Sequence, residues 1–164
     1  MRAPVSHDYA AKLTAPFAVL GLRTSGAGVT GIEYLPKDER AIAPANALAE
    51  RACRQLQRYL ADPEFRFALP LAPAGTAFRR KVWDALADIP VGESRTYGEV
   101  ARRLHTAPRA VGGACGANPI ALVIPCHRVV GSQGSLGGFM GTTDGDPIAI
   151  KRWLLAHEGY RFGK

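Results

Sequence analysis

A cysteine and a histidine stand side by side in the run Pro125-Cys126-His127-Arg128, and a thiol next to an imidazole is the beginning of a nucleophile. A free thiol titrates near 8.5, so it acts at neutral pH only with a base or a positive charge beside it. Adjacent side chains on an extended segment point to opposite sides. Direct help from His127 therefore requires a turn here, or a bridging water. His7, His105 and His157 are further bases that a cysteine-protease arrangement would recruit from a distance, and spacing alone does not choose among them. Cys53 and Cys115 complete an odd set of three cysteines with no Cys-x-x-Cys pair. That speaks against a disulfide framework or a cysteine-built zinc site, and for a reducing compartment where a free thiol survives. Cys53 falls in an apolar helical pattern and reads as a small buried hydrophobe.

The elements that must position Cys126 are short and well punctuated. The apolar run 119–125, bounded by Pro119 and Pro125, delivers the cysteine at the lip of a buried segment. Upstream, Thr76 precedes Phe78-Arg-Arg-Lys-Val-Trp-Asp-Ala-Leu-Ala87, a cap followed by an amphipathic helix that Pro90 and Gly92 stop. Thr96 and Glu99 have the spacing of a capping box at the head of a second helix reaching Leu104. After a Thr-Ala-Pro break, residues 109–118 form a third, so the pair outlines a helix-turn-helix. That last helix is built from Ala110, Gly112, Gly113, Ala114, Gly116 and Ala117, although each glycine costs a helix roughly 1 kcal/mol relative to alanine. Such smallness lets a backbone lie close to another protein element or enter a nucleic-acid groove. Arg102, Arg103 and Arg109 beside it favour the groove, because they can hold phosphates.

The remainder reads as a separate lobe. Residues 15–35 pattern as two strands around a glycine turn, and residues 44–61 carry Leu48, Ala52, Leu56, Tyr59 and Leu60 at helical spacing. Residues 63–75, rich in proline, connect the lobes. The expected organisation is α+β, with lobes at 1–70 and 75–164. The net charge of +7 suggests an anionic partner, and it is unevenly placed. Residues 75–132 hold 8 Lys/Arg against 4 Asp/Glu, whereas residues 1–74 hold 9 against 7. No apolar run of about 18 residues suggests a membrane span, and the N-terminus lacks a signal-peptide pattern. The expectation is a cytoplasmic, nucleoid-associated protein.

Five stretches together carry a family resemblance. Pro125-Cys126-His127-Arg128-Val129-Val130, with Asn118-Pro119 eight residues before the cysteine, resembles the active-site segment of the O6-alkylguanine-DNA alkyltransferases. Phe78-Arg-Arg-Lys-Val-Trp83, Tyr97-Gly-Glu-Val-Ala101, Arg109-Ala-Val-Gly-Gly-Ala114 and Lys151-Arg-Trp-Leu-Leu-Ala-His-Glu-Gly159 resemble the same family in the same order. The likeness runs over residues 75–160, while residues 1–70 share only the general layout.

The resemblance implies a ribonuclease-H-like N-terminal α/β lobe and a mainly helical, winged-helix-like C-terminal lobe. It implies irreversible transfer of an alkyl group from O6 of guanine, and from O4 of thymine, in double-stranded DNA to Cys126, once per molecule. Neither metal nor organic cofactor is implied, and the protein would act as a monomer. His127 and a water would link the thiol to Glu158. Asn118 would brace the active-site turn, and Tyr97 would assist at the departing guanine and its rotating phosphate. Arg109 would fill the gap left by the flipped base, because a stacked O6 is closed to in-line attack by sulfur. Ala110, Gly112 and Gly113 would lie in the minor groove, with Arg102, Arg103 and Arg128 also on the DNA. Val129, Gly137, Phe139 and Met140 would wall the pocket.

Two departures from the family pattern stand out. Phe139 replaces the usual tyrosine, and the link to Lys151 is longer, which predicts a pocket of altered shape. Gly116 stands where some relatives carry a basic residue, shifting DNA affinity onto Arg102, Arg103 and Lys81. Two other readings are weaker. An alkyltransferase-like lesion sensor lacks the acceptor cysteine. A helix-turn-helix regulator needs longer side chains on its recognition helix to read bases.

Overall fold

Three strands, rather than the expected two, open the fold in the computed structural model, which describes residues 9–133, 135–139 and 146–161. β1 (Ala11–Thr14), β2 (Val19–Ser25) and β3 (Gly28–Leu35) pair antiparallel in that order. β1 has too few residues to show an alternating pattern by itself; its register against β2, Ala11 opposite Leu22 and Thr14 opposite Val19, defines it. The turn into β3 depends on Gly28, whose φ is +149°. A Cβ there would lie 2.5 Å from the Pro70 carbonyl oxygen, so the returning chain can hydrogen-bond to Val29 on both sides only because it is absent. α1 (Ala47–Ala61) starts at Asn46, whose side chain accepts from Ala49 N at 2.8 Å. It buries Ala49, Ala52, Cys53, Leu56 and Tyr59, one apolar stripe at 3.6-residue spacing. Cys53 is thus a core residue, and burial pushes its thiol up.

The chain divides between Ala74 and Gly75 into two units. The second begins with α2 (Ala77–Leu86), capped by Thr76 as the sequence predicts. β4 (Arg95–Thr96) leads into α3 (Tyr97–Leu104), where both halves of the capping box form: Glu99 N donates to Thr96 Oγ1 at 3.0 Å, and Thr96 N to Glu99 Oε1 at 2.7 Å. α3 ends at His105 in the left-handed region, φ 57°. α4 (Pro108–Gly116) follows with Pro108 in its first turn, starting one residue earlier than predicted and ending two earlier. The buried Trp83 indole donates to the Ala114 carbonyl at 2.9 Å and fixes α2 against α4.

From α4 the chain makes tight turns instead of a strand. Leu122 takes a φ of 74°, and Val123 N and Cys126 N each donate two residues back, both at 2.8 Å. A 3-10 turn spans Cys126–Arg128, and β5 (Val129–Val130) then pairs parallel with β4. That two-residue pairing sets the start of α3 beside the end of the cysteine turn. α5 (Asp146–His157) completes the unit. The result is an α+β fold of helices and two small sheets.

Candidate active site

Cys126 opens the 3-10 turn and is 5 % exposed. The turn breaks the side-to-side alternation of an extended chain, which is the condition for Cys126 and His127 to cooperate. Asn118 organises the turn from all its polar atoms. Its Oδ1 accepts from Ile120 N at 2.9 Å, and its Nδ2 donates to the Ile124 carbonyl at 2.9 Å and to Cys126 Sγ at 3.2 Å. Burial raises the Cys126 thiol well above the ordinary thiol range. The nearby Cys115 side chain pushes the same way, while Asn118 and the Lys151 charge oppose it. The sulfur rests as a thiol, and a base must take its proton.

That base is positioned by a buried carboxylate. His127 Nε2 lies 2.8 Å from Glu158 Oε2, and both side chains are 1 % exposed. An ionised carboxylate only accepts, so the proton of a neutral imidazole sits on Nε2. Nδ1 is left with its lone pair, buried and unpartnered among the described residues. Burial lowers the imidazole from its ordinary 6.5; Glu158 pulls it up, and Arg128 and Lys151 push it down. Burial outweighs Glu158, and Arg128 adds to it. Its Nε donates to Glu158 Oε1 at 2.8 Å, a terminal nitrogen to Oε2 at 3.0 Å, and the other to the Ile89 carbonyl at 2.7 Å. A carboxylate already paired bidentately has less charge to offer an imidazolium. Arg128 was expected on the DNA. Instead it turns inward, because the only buried carboxylate among the described residues sits behind the turn that carries it.

The sign of this shift makes a prediction. A folded-state imidazole held below 6.5 means that the unfolded chain binds more protons as pH falls through 6.5. Stability is therefore expected to drop from about pH 7.5 to about pH 5.5, and the drop should shrink in His127→Gln. Urea unfolding across that range checks it; equal slopes for the two proteins would contradict it.

Lys151 was not anticipated as a site residue. It is fully buried in α5, and its Nζ donates to the carbonyls of Val129 (2.7 Å), Leu136 (2.6 Å) and Gly138 (2.8 Å). Burial lowers the ammonium to about 8, with the two neighbouring cysteines opposing; three acceptors for three protons keep it charged at neutral pH. The pocket wall hangs on it. Tyr97 Oη donates to the same Gly138 carbonyl at 3.1 Å, burial first among the causes that raise its phenol. Gly137 has φ +73°, and a Cβ would meet the Tyr97 ring at 2.8 Å, so only glycine fits. Phe139 is buried, its ring centre 5.8 Å from Lys151 Nζ. Val129 is buried as well, and Met140 lies outside the described residues. Lys151→Met should leave three carbonyls without a donor and cost about 3 kcal/mol, with faster proteolysis within 135–139. Unchanged urea midpoint and cleavage rate would refute the bracing role.

The surface around α3 and α4 is cationic and smooth. Arg102, Arg103 and Arg109 are exposed, as is Lys81. Arg103 reaches Asp88 at 2.6 Å, an exposed pair that contributes little and releases easily. Gly113 and Gly116 are exposed, Ala110 and Gly112 half-buried. A Cβ added at Gly112 or Gly113 would meet nothing within 4 Å. The demand for small residues at these two positions does not come from packing inside the protein. Of the other histidines, His105 ends α3 and His157 stacks on Trp153 at 4.8 Å; His7 lies outside the described residues. No group of three or more His, Cys, Asp or Glu among the described residues is placed to hold a metal.

A buried thiol braced by an asparagine, backed by a His–Glu–Arg chain and carried on a unit with a helix-turn-helix, defines a DNA-binding protein with a nucleophilic cysteine. Comparison with known proteins specifies it further. Residues 77–160 match the family described as 6-O-methylguanine DNA methyltransferase, DNA binding domain. A methylated-DNA–protein-cysteine methyltransferase of Methanosarcina barkeri is 39% identical over 153 residues, which cover 89% of this chain and 94% of that one. One from Methanosarcina acetivorans is 48% identical over 110 residues, 66% of this chain and 67% of the relative. The crystal structure of Mycobacterium tuberculosis OGT in complex with DNA superposes with a TM-score of 0.77 at 38% identity, covering 90% of each chain. The chain belongs to the methylated-DNA–protein-cysteine methyltransferase family.

Proposed function

We propose that this chain repairs DNA by direct reversal, moving an alkyl group from O6 of guanine, and from O4 of thymine, in duplex DNA onto Cys126 Sγ. The observation that carries the reading is the pairing of a thiol held by Asn118 with a neutral His127 whose free Nδ1 is a ready base. His127 takes the thiol proton, directly or through a water, while Glu158 and Arg128 hold the imidazolium that results. The Lys151 ammonium favours the developing thiolate. The sulfur attacks the alkyl carbon, the S–C bond forms as the C–O6 bond breaks, and the bonding pair leaves with guanine. A proton returning to the base restores ordinary guanine. The thioether left on Cys126 has no leaving group, so each molecule reacts once, as a monomer.

Access requires the nucleotide to leave the stack. α4 presents its small residues to the minor groove, where readout is degenerate, and Arg109 at its head fills the vacated place. Tyr97 exchanges its bond to Gly138 for one to the departing base. Such a thiol needs a reducing compartment, which favours the cytoplasm. A lesion sensor without transfer is disfavoured, because the acceptor cysteine and its activating groups are all present.

Arg109→Ala separates flipping from chemistry. Transfer from methylated duplex is expected to fall by roughly tenfold or more, the scale of an unstacking step no longer compensated. Transfer from free O6-benzylguanine should not change. Equal losses on both substrates would mean that Arg109 acts on the reaction, not on the stack.

A further inference from the structure

The N-terminal unit carries a basic groove that the transfer reaction does not use. It has a volume of about 710 Å³ and lies between the outer face of α1 and the segment Phe65–Ala68. Arg51, Arg54, Arg58 and Arg66 line it, and no carboxylate does. Residues 1–74 are close to neutral, with 9 Lys/Arg against 7 Asp/Glu, so four of nine cations in one groove is a marked concentration. Two carboxylates of this unit are engaged elsewhere, Glu33 with Arg23 and Glu39 with Lys12, both at 2.8 Å, while Asp62 and Glu64 stand in the turn between the lining residues Ala61 and Phe65, where Asp62 Oδ1 accepts from Glu64 N at 3.0 Å. Glu50 flanks the groove and touches Arg54 only at 3.8 Å, each side chain about two-thirds exposed.

The groove is also built. Gln55 clamps its wall by accepting from Ala68 N at 2.8 Å and donating to the Ala68 carbonyl at 3.2 Å, and Arg51 donates to the same carbonyl. The Arg58 guanidinium lies 4.9 Å over the Phe65 ring. All four cations are arginines, whose planar forks suit phosphate oxygens and lose less freedom when so held. Arg51, Arg54 and Arg58 span about 10 Å of helix axis. A duplex presents a phosphate about every 3.4 Å along each strand, so the row is about as long as three phosphate steps.

We propose that this groove binds the sugar-phosphate backbone of duplex DNA, as a second, sequence-independent contact separate from the helix-turn-helix. The N-terminal unit then contributes to holding and scanning DNA. The contact is independent of the alkyl-transfer chemistry.

The triple variant Arg54→Ala/Arg58→Ala/Arg66→Ala tests it, with Arg51 kept because it supports the wall. Fluorescence anisotropy on an undamaged duplex gives the slope of log affinity against log salt. That slope should fall by about 2.7, so that wild type loses about forty-fold more affinity than the variant between 50 and 200 mM salt. The matching triple lysine variant should keep most of the slope. Circular dichroism and the urea midpoint, close to wild type in both, report that the N-terminal unit is folded, and unchanged transfer from free O6-benzylguanine reports that the reaction centre is intact. Should the triple alanine variant unfold, Arg66→Glu alone is read by the same slope. A slope equal to wild type in a folded variant overturns the proposal and leaves the groove to some other anion.

Discussion

Cys126→Ser is expected to abolish alkyl transfer, by at least about 10⁴-fold, while leaving affinity for methylated duplex unchanged. The asymmetry follows from where the sulfur sits. At 5 % exposure it contributes nothing to the DNA-facing surface. A serine hydroxyl can still accept from Asn118 Nδ2 in place of Sγ, so the turn should persist at a cost of about 1 kcal/mol. What disappears is the nucleophile. An alkoxide lies far out of reach of an imidazole base at neutral pH, whereas a thiolate does not, even with burial raising the thiol. Single-turnover assays with a labelled methyl group measure the loss, and competition binding measures the retained affinity. Residual transfer above background would mean that another residue accepts the alkyl group.

The second large effect is expected of Glu158→Gln, and it should appear in two readouts. The carboxylate is shared: one oxygen faces His127, and both take hydrogen bonds from Arg128. An amide removes the charge and turns one acceptor into a donor, so Arg128 confronts an N–H in either orientation, and His127 does as well in one of them. Arg128 is 13 % exposed, and stranding a cation at that depth should cost about 3 kcal/mol. The imidazolium loses its counter-charge in the same step, which should slow transfer by about 10²-fold. The two effects separate on temperature. Well below the midpoint, where the variant is folded, the rate defect must remain and DNA affinity must match wild type. A full-rate variant that is merely less stable would make Glu158 a structural ion-pair partner only.

How much of this was legible in the sequence depends on how local the signal was. Thr76 and the Thr96/Glu99 box act within one turn of their own helices, and the starts of α2 and α3 followed from them. Asn118 and Cys126 are eight residues apart and share one set of tight turns. Residues in and just after α5 were harder, because what makes them functional is tertiary. Lys151 and Glu158 occupy one helical face with Leu154 and Leu155, all buried, and that spacing was the available sign that a lysine and a glutamate belonged to the interior. Arg128 was misplaced for the converse reason. A basic residue beside an active cysteine suggests an anionic ligand, and its partner Glu158 lies thirty residues downstream. The small-residue helix was ambiguous, since tight packing and groove entry both demand smallness. The open space around Gly112 and Gly113 supplies the missing distinction.

The most direct measurement of the central claim is the intact mass of the wild-type protein after incubation with duplex DNA containing O6-methylguanine, followed by peptide mapping. The account predicts a gain of one methylene per molecule, saturating at one equivalent of DNA and located in the peptide that carries Cys126. An unmodified protein that nevertheless binds the lesion, or a methyl group found on Cys115 or Cys53, would contradict it.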